Sequence, residues 1–226
     1  MMKPTEFKFD FYGKLKHFGV TFENIVDVGC FKGDWTERVQ KVYPNANYYL
    51  IDPNDHHKDK CEKLGTFIHA AVGYKEEERK FYYYEEHSAT GNSLYKETSN
   101  AVPYEKVVTA KPLSALLPDQ KYDVIKMDVQ GAELEIIDGS FDLFSKTKFV
   151  QLECPVHHNN VDAPRFEHYI NFMANCDFKV FDIDNIFYNK KLMGVDFIFV
   201  NKKLPKVTPL ENEKIIYESY ANVSST

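Results

Sequence analysis

The chain predicts an α/β fold: a mostly parallel, seven-stranded sheet that closes with a C-terminal antiparallel hairpin. Three observations carry this. Apolar strand segments alternate with helix-period segments from Ile25 onward, which is the rhythm of parallel crossover units. The run Ile25-Val26-Asp27-Val28-Gly29-Cys30-Phe31-Lys32-Gly33 reads as a buried strand, a glycine turn and a helix start, and Tyr48-Tyr49-Leu50-Ile51-Asp52 as a second strand ending in a carboxylate. Residues 178–183 and 195–200 are apolar runs joined by Asp184 to Gly194, a connection too short for a helical crossover, so they pair antiparallel.

Taken in order, Phe11, Leu15 and Phe18 share one face of a leading helix within residues 1–20, which packs on the sheet edge. The first strand covers 25–28, and a helix follows over 33–42 with Pro44 beyond its end. The second strand covers 48–51. The next helix runs from Asn54 or Asp55 to Leu64, with Gly65 as its cap. The third strand is 66–71, closing on Val72-Gly73. Between Lys75 and Lys111 the rhythm breaks, with extra strands at 80–84 and 106–110. Between these, Ser88-Ala89-Thr90-Gly91-Asn92-Ser93 is a polar, turn-rich segment that suits a lid or a surface excursion. Tyr82-Tyr83-Tyr84 reads as β-prone strand in preference to a stacking surface for a sugar. The rhythm resumes with a strand at 122–127, a helix opening over 132–137, a strand at 148–152 and an amphipathic helix at 163–175 carrying Phe166, Ile170 and Met173. Residues 1–203 read as a single domain and 204–226 as a polar, proline-punctuated peripheral tail, with no internal repeat.

Composition narrows the function. Of the 226 residues, 43% are hydrophobic, enough for an ordered core, and the formal net charge of -6 argues against a general nucleic-acid binder. No apolar stretch is long enough to span a bilayer, and Met1-Met2-Lys3-Pro4-Thr5 opens no signal-peptide pattern. Cys30, Cys61, Cys154 and Cys176 are scattered without C-x-x-C pairing, as expected of free thiols in a reducing compartment, the cytoplasm.

The glycine turn discriminates between cofactors. A dinucleotide site needs a middle glycine for its pyrophosphate, and here that position is Phe31, between Gly29 and Gly33. A carboxylate at Asp27 would repel phosphates but attract the ammonium and sulfonium of S-adenosylmethionine. Asp52, followed by Pro53, suits the two ribose hydroxyls. A nicotinamide-dependent oxidoreductase is disfavoured for the same reasons.

A second informative segment is Tyr122-Asp123-Val124-Ile125-Lys126-Met127-Asp128-Val129-Gln130-Gly131-Ala132-Glu133. Strand periodicity puts Lys126 and Asp128 on one face, and Gln151 and Glu153 on one face of the next strand. A strand lysine is costly to bury unless paired, so Lys126 is expected to pair with Glu153 or bond to Gln151, either as structure or as site. Asp128 lies where the ligand's reacting end would stand. Glu133 falls in a first helical turn, where the macrodipole alone explains a carboxylate. In Cys154-Pro155-Val156-His157-His158, zinc lacks a second ligand cluster, and His157 reads as a candidate general base on a loop over the pocket. His56, His57 and His158 read as surface residues.

The runs IVDVGCFKGDWT, LIDPN, AAVG, IKMDVQGAELEIIDG and VQLE, in this order between Asn24 and Lys202, resemble the FkbM-type methyltransferases. The resemblance implies a class I, Rossmann-like S-adenosylmethionine-dependent fold and methyl transfer to a hydroxyl, commonly of a sugar or a polyketide-like metabolite. It implies that Asp27, Gly29, Cys30 and Gly33 line the methionine part of the cofactor, that Asp52 and Pro53 hold the ribose, and that Ala71 lies against the adenine. Asp128 would face the sulfonium and the acceptor, with Lys126, Glu133 and Glu153 around it. Cys30-Phe31 departs from the small or amide residues common at that turn. The expected partner is a hydroxylated small molecule or glycan. The proton acceptor is Asp128 or His157, or else a divalent metal on Asp128 and Glu153 acidifies the hydroxyl. A noncatalytic cofactor-binding scaffold is the alternative from another class.

Overall fold

The computed structural model of this chain describes residues 5–8, 10–84, 91–157 and 159–206. In chain order the elements are β1 (Thr5–Lys8), α1 (Phe11–His17), β2 (Asn24–Val28), α2 (Asp34–Gln40), β3 (Asn47–Asp52), α3 (Lys58–Cys61), β4 (Thr66–His69), β5 (Ala71–Val72) and β6 (Glu77–Tyr83). There follow β7 (Tyr104–Lys111), α4 (Leu113–Leu116), β8 (Val124–Met127), α5 (Glu133–Gly139), α6 (Phe141–Ser145), β9 (Phe149–Pro155), α7 (Phe166–Asn175), β10 (Phe178–Asn189) and β11 (Lys191–Asn201).

The main sheet has the order β1-β10-β11-β9-β8-β2-β3-β4. Pairing is parallel from β9 through β8, β2 and β3 to β4, and antiparallel from β9 through β11 and β10 to β1. The seven expected strands are all in it, and β1 adds an eighth at the edge. Alternate residues of each central strand feed two cores. Ile25, Leu50 and Val124 face Phe11, Leu15, Val39 and Cys61 of α1–α3. Val26, Ile51, Ile125 and Met127 face Ile136, Phe144, Tyr169 and Met173 of α5–α7. Both faces of the parallel strands are therefore covered, as near-continuous apolar runs require.

Several boundaries differ from the sequence expectation. The third strand splits: β4 pairs β3 as far as His69, the register partner of Asp52, and Ala71–Val72 then leaves to pair with β7. The resulting three-stranded sheet, β5-β7-β6, takes in Tyr82 and Tyr83 as strand. The helix expected over 54–64 shrinks to one turn, because the Asn54 side chain accepts the His56 N–H and holds a turn there. The helix expected from Ala163 starts at Phe166, past Pro164. Phe18 is exposed at the end of α1, and its expected place in the core goes to Tyr12. The supposed connection of the hairpin is mostly strand, turning at Lys190, which takes φ 59°.

That last extension buries polar residues, which are paired. Arg38 donates from two guanidinium nitrogens to Asp184, whose side chain is 1% exposed. Gln151 donates to Asp184 at 3.0 Å and accepts from Tyr12 at 2.7 Å and Trp35 at 3.2 Å. This network ties α1 and α2 to β9 and β10. Replacing Arg38 by Met strands the Asp184 charge, so urea denaturation is expected to show a loss of about 3 kcal/mol. An unchanged midpoint would mean that Asp184 does not depend on this partner.

Candidate active site

The carboxyl ends of β2, β3 and β8 meet at a cleft of about 710 Å³ including its mouth, within the range of small-molecule sites. Its walls are mostly apolar, with Ile51, Ala70, Val72, Phe81 and Leu94 among them, and Asp52 and Asp128 supply its carboxylates. β2 lies between β3 and β8, so these two carboxylates stand on opposite sides of the Gly29 turn. Gly29 takes φ 72°, and its N–H donates to Ile51 O at 2.8 Å. A Cβ there would lie 1.9 Å from the Asp128 carbonyl oxygen, so only glycine lets the two strand ends come this close.

Asp52 is buried, and each of its oxygens accepts one backbone N–H at 2.8 Å, from Phe31 and from Asn54. Pro53 lines the cleft beside it, and the Pro53 carbonyl meets His69 Nε2 at 2.9 Å. Phe31 also lines the cleft, with φ 48° and its ring edge-on to His57.

Other expected residues stand behind the wall. Asp27 is 1% exposed, and its carboxylate accepts from Thr36 at 2.7 Å and from Lys126 at 3.1 Å. It therefore does not face the cleft, and Lys126 pairs with it in place of Glu153. The reason is register: Asp27 sits directly beside Lys126 on the parallel neighbour, whereas Glu153 lies two residues beyond the Lys126 partner Gln151. Burial works against the Lys126 charge, but Asp27 and Asp128 more than offset it and raise its pKa. Cys30 turns into the α1–α3 core beside Cys61, with the sulfurs 4.0 Å apart. Gly33 caps α2 at φ 73° against Leu64. Ala71 is buried while its neighbours Ala70 and Val72 line the cleft, as strand alternation requires. Cys154 is a core residue, and His157 is half-buried past β9 and lines neither this cleft nor the cavity next to it.

Asp128 also lines that second, more open cavity, with Glu97, Gln130, Glu153, Asn159, Asn160 and Phe187. Gln130 was not singled out from the sequence. Its φ is 57°, an uncommon backbone for a side-chain-bearing residue, and its Nε2 donates to Asp128 at 2.7 Å and Glu153 at 3.0 Å. The turn is held from behind. Glu133 accepts the Val129 N–H at 2.9 Å, the Gly131 N–H at 3.0 Å and the Tyr169 hydroxyl at 2.6 Å. Ser93 Oγ donates to the Val129 and Gln130 carbonyls, both at 2.9 Å. Residues 85–90, which hold the first part of the expected lid, lie outside the described residues. Burial, then Asp128 and Asp196, push the Glu153 carboxyl well above the usual range. Among the described residues no group of three or more His, Cys, Asp or Glu side chains is arranged to hold a metal ion. Between Asp128 and Glu153 stands an amide nitrogen, a donor, where a cation would need an oxygen.

A parallel sheet with a closing antiparallel hairpin and a cleft at its central carboxyl ends defines the class I methyltransferase architecture. Solved structures agree in fold. The magnesium protoporphyrin IX methyltransferase of Synechocystis PCC 6803 with bound SAM is 10% identical, over 84% of this chain and 76% of that one, with a TM-score of 0.50. The same enzyme with bound SAH gives 11% identity, 84% and 79% coverage and a TM-score of 0.52. The Burkholderia thailandensis 1,6-didemethyltoxoflavin-N1-methyltransferase gives 9% identity, 83% and 74% coverage and a TM-score of 0.50. The chain belongs to the FkbM methyltransferase family, whose domain matches residues 16–180. No curated protein matches the sequence.

Glu133 makes the turn testable. In Glu133→Gln one carboxylate oxygen becomes an amide nitrogen facing N–H or O–H donors. A loss of about 2–3 kcal/mol in unfolding free energy is expected. Equal stability of variant and parent would mean that this buried carboxylate does not hold the turn.

Proposed function

We propose that this protein is an S-adenosylmethionine-dependent O-methyltransferase whose acceptor is a hydroxyl group of a sugar or glycan. The observation that carries the reading is the sharing of Asp128 by two unlike cavities, an apolar slot with Asp52 in its wall and a second cavity rich in amides and carboxylates. The methyl donor carries its methyl group on a sulfonium sulfur, and a border between donor and acceptor spaces is where that group has to stand. Asp52 keeps a lone pair on each oxygen for the two ribose hydroxyls, beyond the backbone bonds it already accepts. Phe81, Val72 and Leu94 offer apolar walls for the base. Asp128 places negative charge beside the sulfonium.

On the acceptor side, Asn159, Asn160 and Gln130 supply paired donors and acceptors, the groups that orient a polyol. Aligning the hydroxyl with the methyl carbon is the main task. Asp128 is the candidate to take the hydroxyl proton, with Glu153 beside it across the Gln130 amide. The reading treats residues 1–203 as one catalytic domain working in the cytoplasm, and no helix among the described residues is long and apolar enough to cross a membrane.

The direct test is release of S-adenosylhomocysteine when the protein is incubated with S-adenosylmethionine and a panel of hydroxylated acceptors. Donor binding without turnover on any of them would favour a noncatalytic role. With an acceptor in hand, Asp128→Asn is expected to lower turnover by about 100-fold while changing S-adenosylhomocysteine affinity little. Wild-type turnover in that variant would remove Asp128 from the reaction.

Binding of the demethylated product also tests Asp52. Burial, opposed by the Asn54 and Phe31 N–H bonds, raises its pKa to about 6. In the free protein a raised carboxyl value favours the protonated form, so this group's contribution to stability falls as pH rises towards about 6. The ribose hydroxyls prefer the ionised form, so affinity is expected to be full above about 6 and to weaken as pH falls below it. Asp52→Ala is expected to cost roughly 1.5–3 kcal/mol of binding and to flatten that profile. Calorimetry across pH reads both.

A further inference from the structure

The Gln130 amide has a single orientation. Its Nε2 donates to Asp128 Oδ1 at 2.7 Å and to Glu153 Oε2 at 3.0 Å, which spends both hydrogens of that nitrogen. Two carboxyls against one end also fix which end is nitrogen, because the reversed amide would set oxygen against oxygen. The backbone below is pinned. Ser93 Oγ bonds to the Gln130 carbonyl at 2.9 Å, and Glu133 holds the N–H groups of Val129 and Gly131 on either side.

What remains of this side chain is Oε1, which accepts no hydrogen bond from a described residue. Among the described residues the fully buried side-chain atoms without a partner are Arg165 Nε and Asn185 Oδ1, so Oε1 reaches open space. Gln130 lines the cavity that Asp128 and Glu153 share, and this is the space its oxygen can serve. Asn160, 3% exposed, repeats the arrangement on the same wall: its Nδ2 is spent on the Tyr95 carbonyl at 3.1 Å, and its Oδ1 is left over. Amide oxygens fixed beside a carboxylate are seats for hydrogen-bond donors. The charge nearest Asp128 is already supplied, since Lys126 Nζ lies 3.7 Å from its other oxygen. The donor that suits Oε1 is therefore a neutral one, a hydroxyl.

We propose that Gln130 selects the acceptor: Nε2 orients Asp128 towards the reacting hydroxyl, and Oε1 accepts a second, free hydroxyl on the adjacent carbon. This rests on the reading of the two cavities given above. Nitrogen and oxygen share one amide carbon, so the second seat lies one amide width beyond the 2.7 Å contact with Asp128, a span suited to hydroxyls on neighbouring carbons. An acceptor whose neighbouring hydroxyl is missing or blocked leaves Oε1 without its donor and is disfavoured.

The test uses the full chain saturated with S-adenosylhomocysteine, titrated by saturation-transfer NMR with 1,4-anhydroerythritol, 1,4-anhydrothreitol and 3-hydroxytetrahydrofuran. The first two carry the adjacent hydroxyls in cis and in trans, and the third lacks one of them. One of the diols is expected to bind about tenfold more tightly than 3-hydroxytetrahydrofuran. In Gln130→Gly, which keeps the φ 57° backbone, that diol is expected to fall to the level of 3-hydroxytetrahydrofuran. The single hydroxyl, which needs only Asp128, is expected to change little, and affinity for S-adenosylhomocysteine reports that the variant is folded. Equal binding of all three by the wild-type protein overturns the proposal, as does no binding of any. So does a preference that survives in folded Gln130→Gly, or a parallel loss of diol and single hydroxyl, which would mark Gln130 as structural. Failure of the folded wild-type chain to bind S-adenosylhomocysteine overturns instead the reading of the cleft, and this proposal with it.

Discussion

The site depends on how closely the carboxyl ends of β2 and β8 approach. Gly29 leaves no room for a side chain against the Asp128 carbonyl, and two residues earlier the same strands are joined by the buried Asp27–Lys126 pair. The first is a steric condition and the second an electrostatic one. Together they set two chain turns side by side, with Asp52 beyond one and the Gln130 turn within the other. An ion pair this deep adds little net stability against an apolar alternative, but losing either partner leaves a stranded charge. Its effect here is to specify which strands are neighbours and in what register.

Around that junction, polar groups are layered. The lower row, Asp27, Lys126 and Gln151, is fully engaged, with Thr36, Tyr12, Trp35 and Asp184 completing its hydrogen bonds. Beyond it, Asp128 and Glu153 share the Gln130 amide, and Lys126 also lies 3.7 Å from Asp128. Burial, then Asp128, push Asp196 as well as Glu153 far up from the carboxylate range. Phe31 and Gln130 hold positive φ at the two turns bordering the cleft, and such strain persists only where surrounding contacts over-determine it. Glu133, Tyr169 and Ser93 are those contacts for Gln130.

The inserted β6–β7 sheet connects the fold to the site. Phe81 and Leu94 bring it into the cleft wall, and Gly91 and Glu97 carry it on to the second cavity. Family membership rests on residues 16–180, so it includes this insertion and stops within β10. The strand pair that supplies Phe187 lies mostly beyond that boundary.

The strand–turn–helix at Ile25–Gly33, the carboxylate ending β3 and the closing hairpin were legible in the chain because each follows from local periodicity and turn chemistry. Asp52 and Asp128 were legible for the same reason, as residues at strand ends. The destination of Asp27 and Lys126 was not. Two charges on different strands become partners only through register, which is a property of the assembled sheet. Ala71 shows the same limit on a smaller scale, since a change of sheet after His69 decided which of three neighbours lines the cleft. The sequence by itself determined the fold class and the carboxylates at the ends of β3 and β8, because backbone geometry and one-residue chemistry are local. Tertiary structure alone decided which buried charges pair, because Coulomb energies depend on distances that only the folded chain sets.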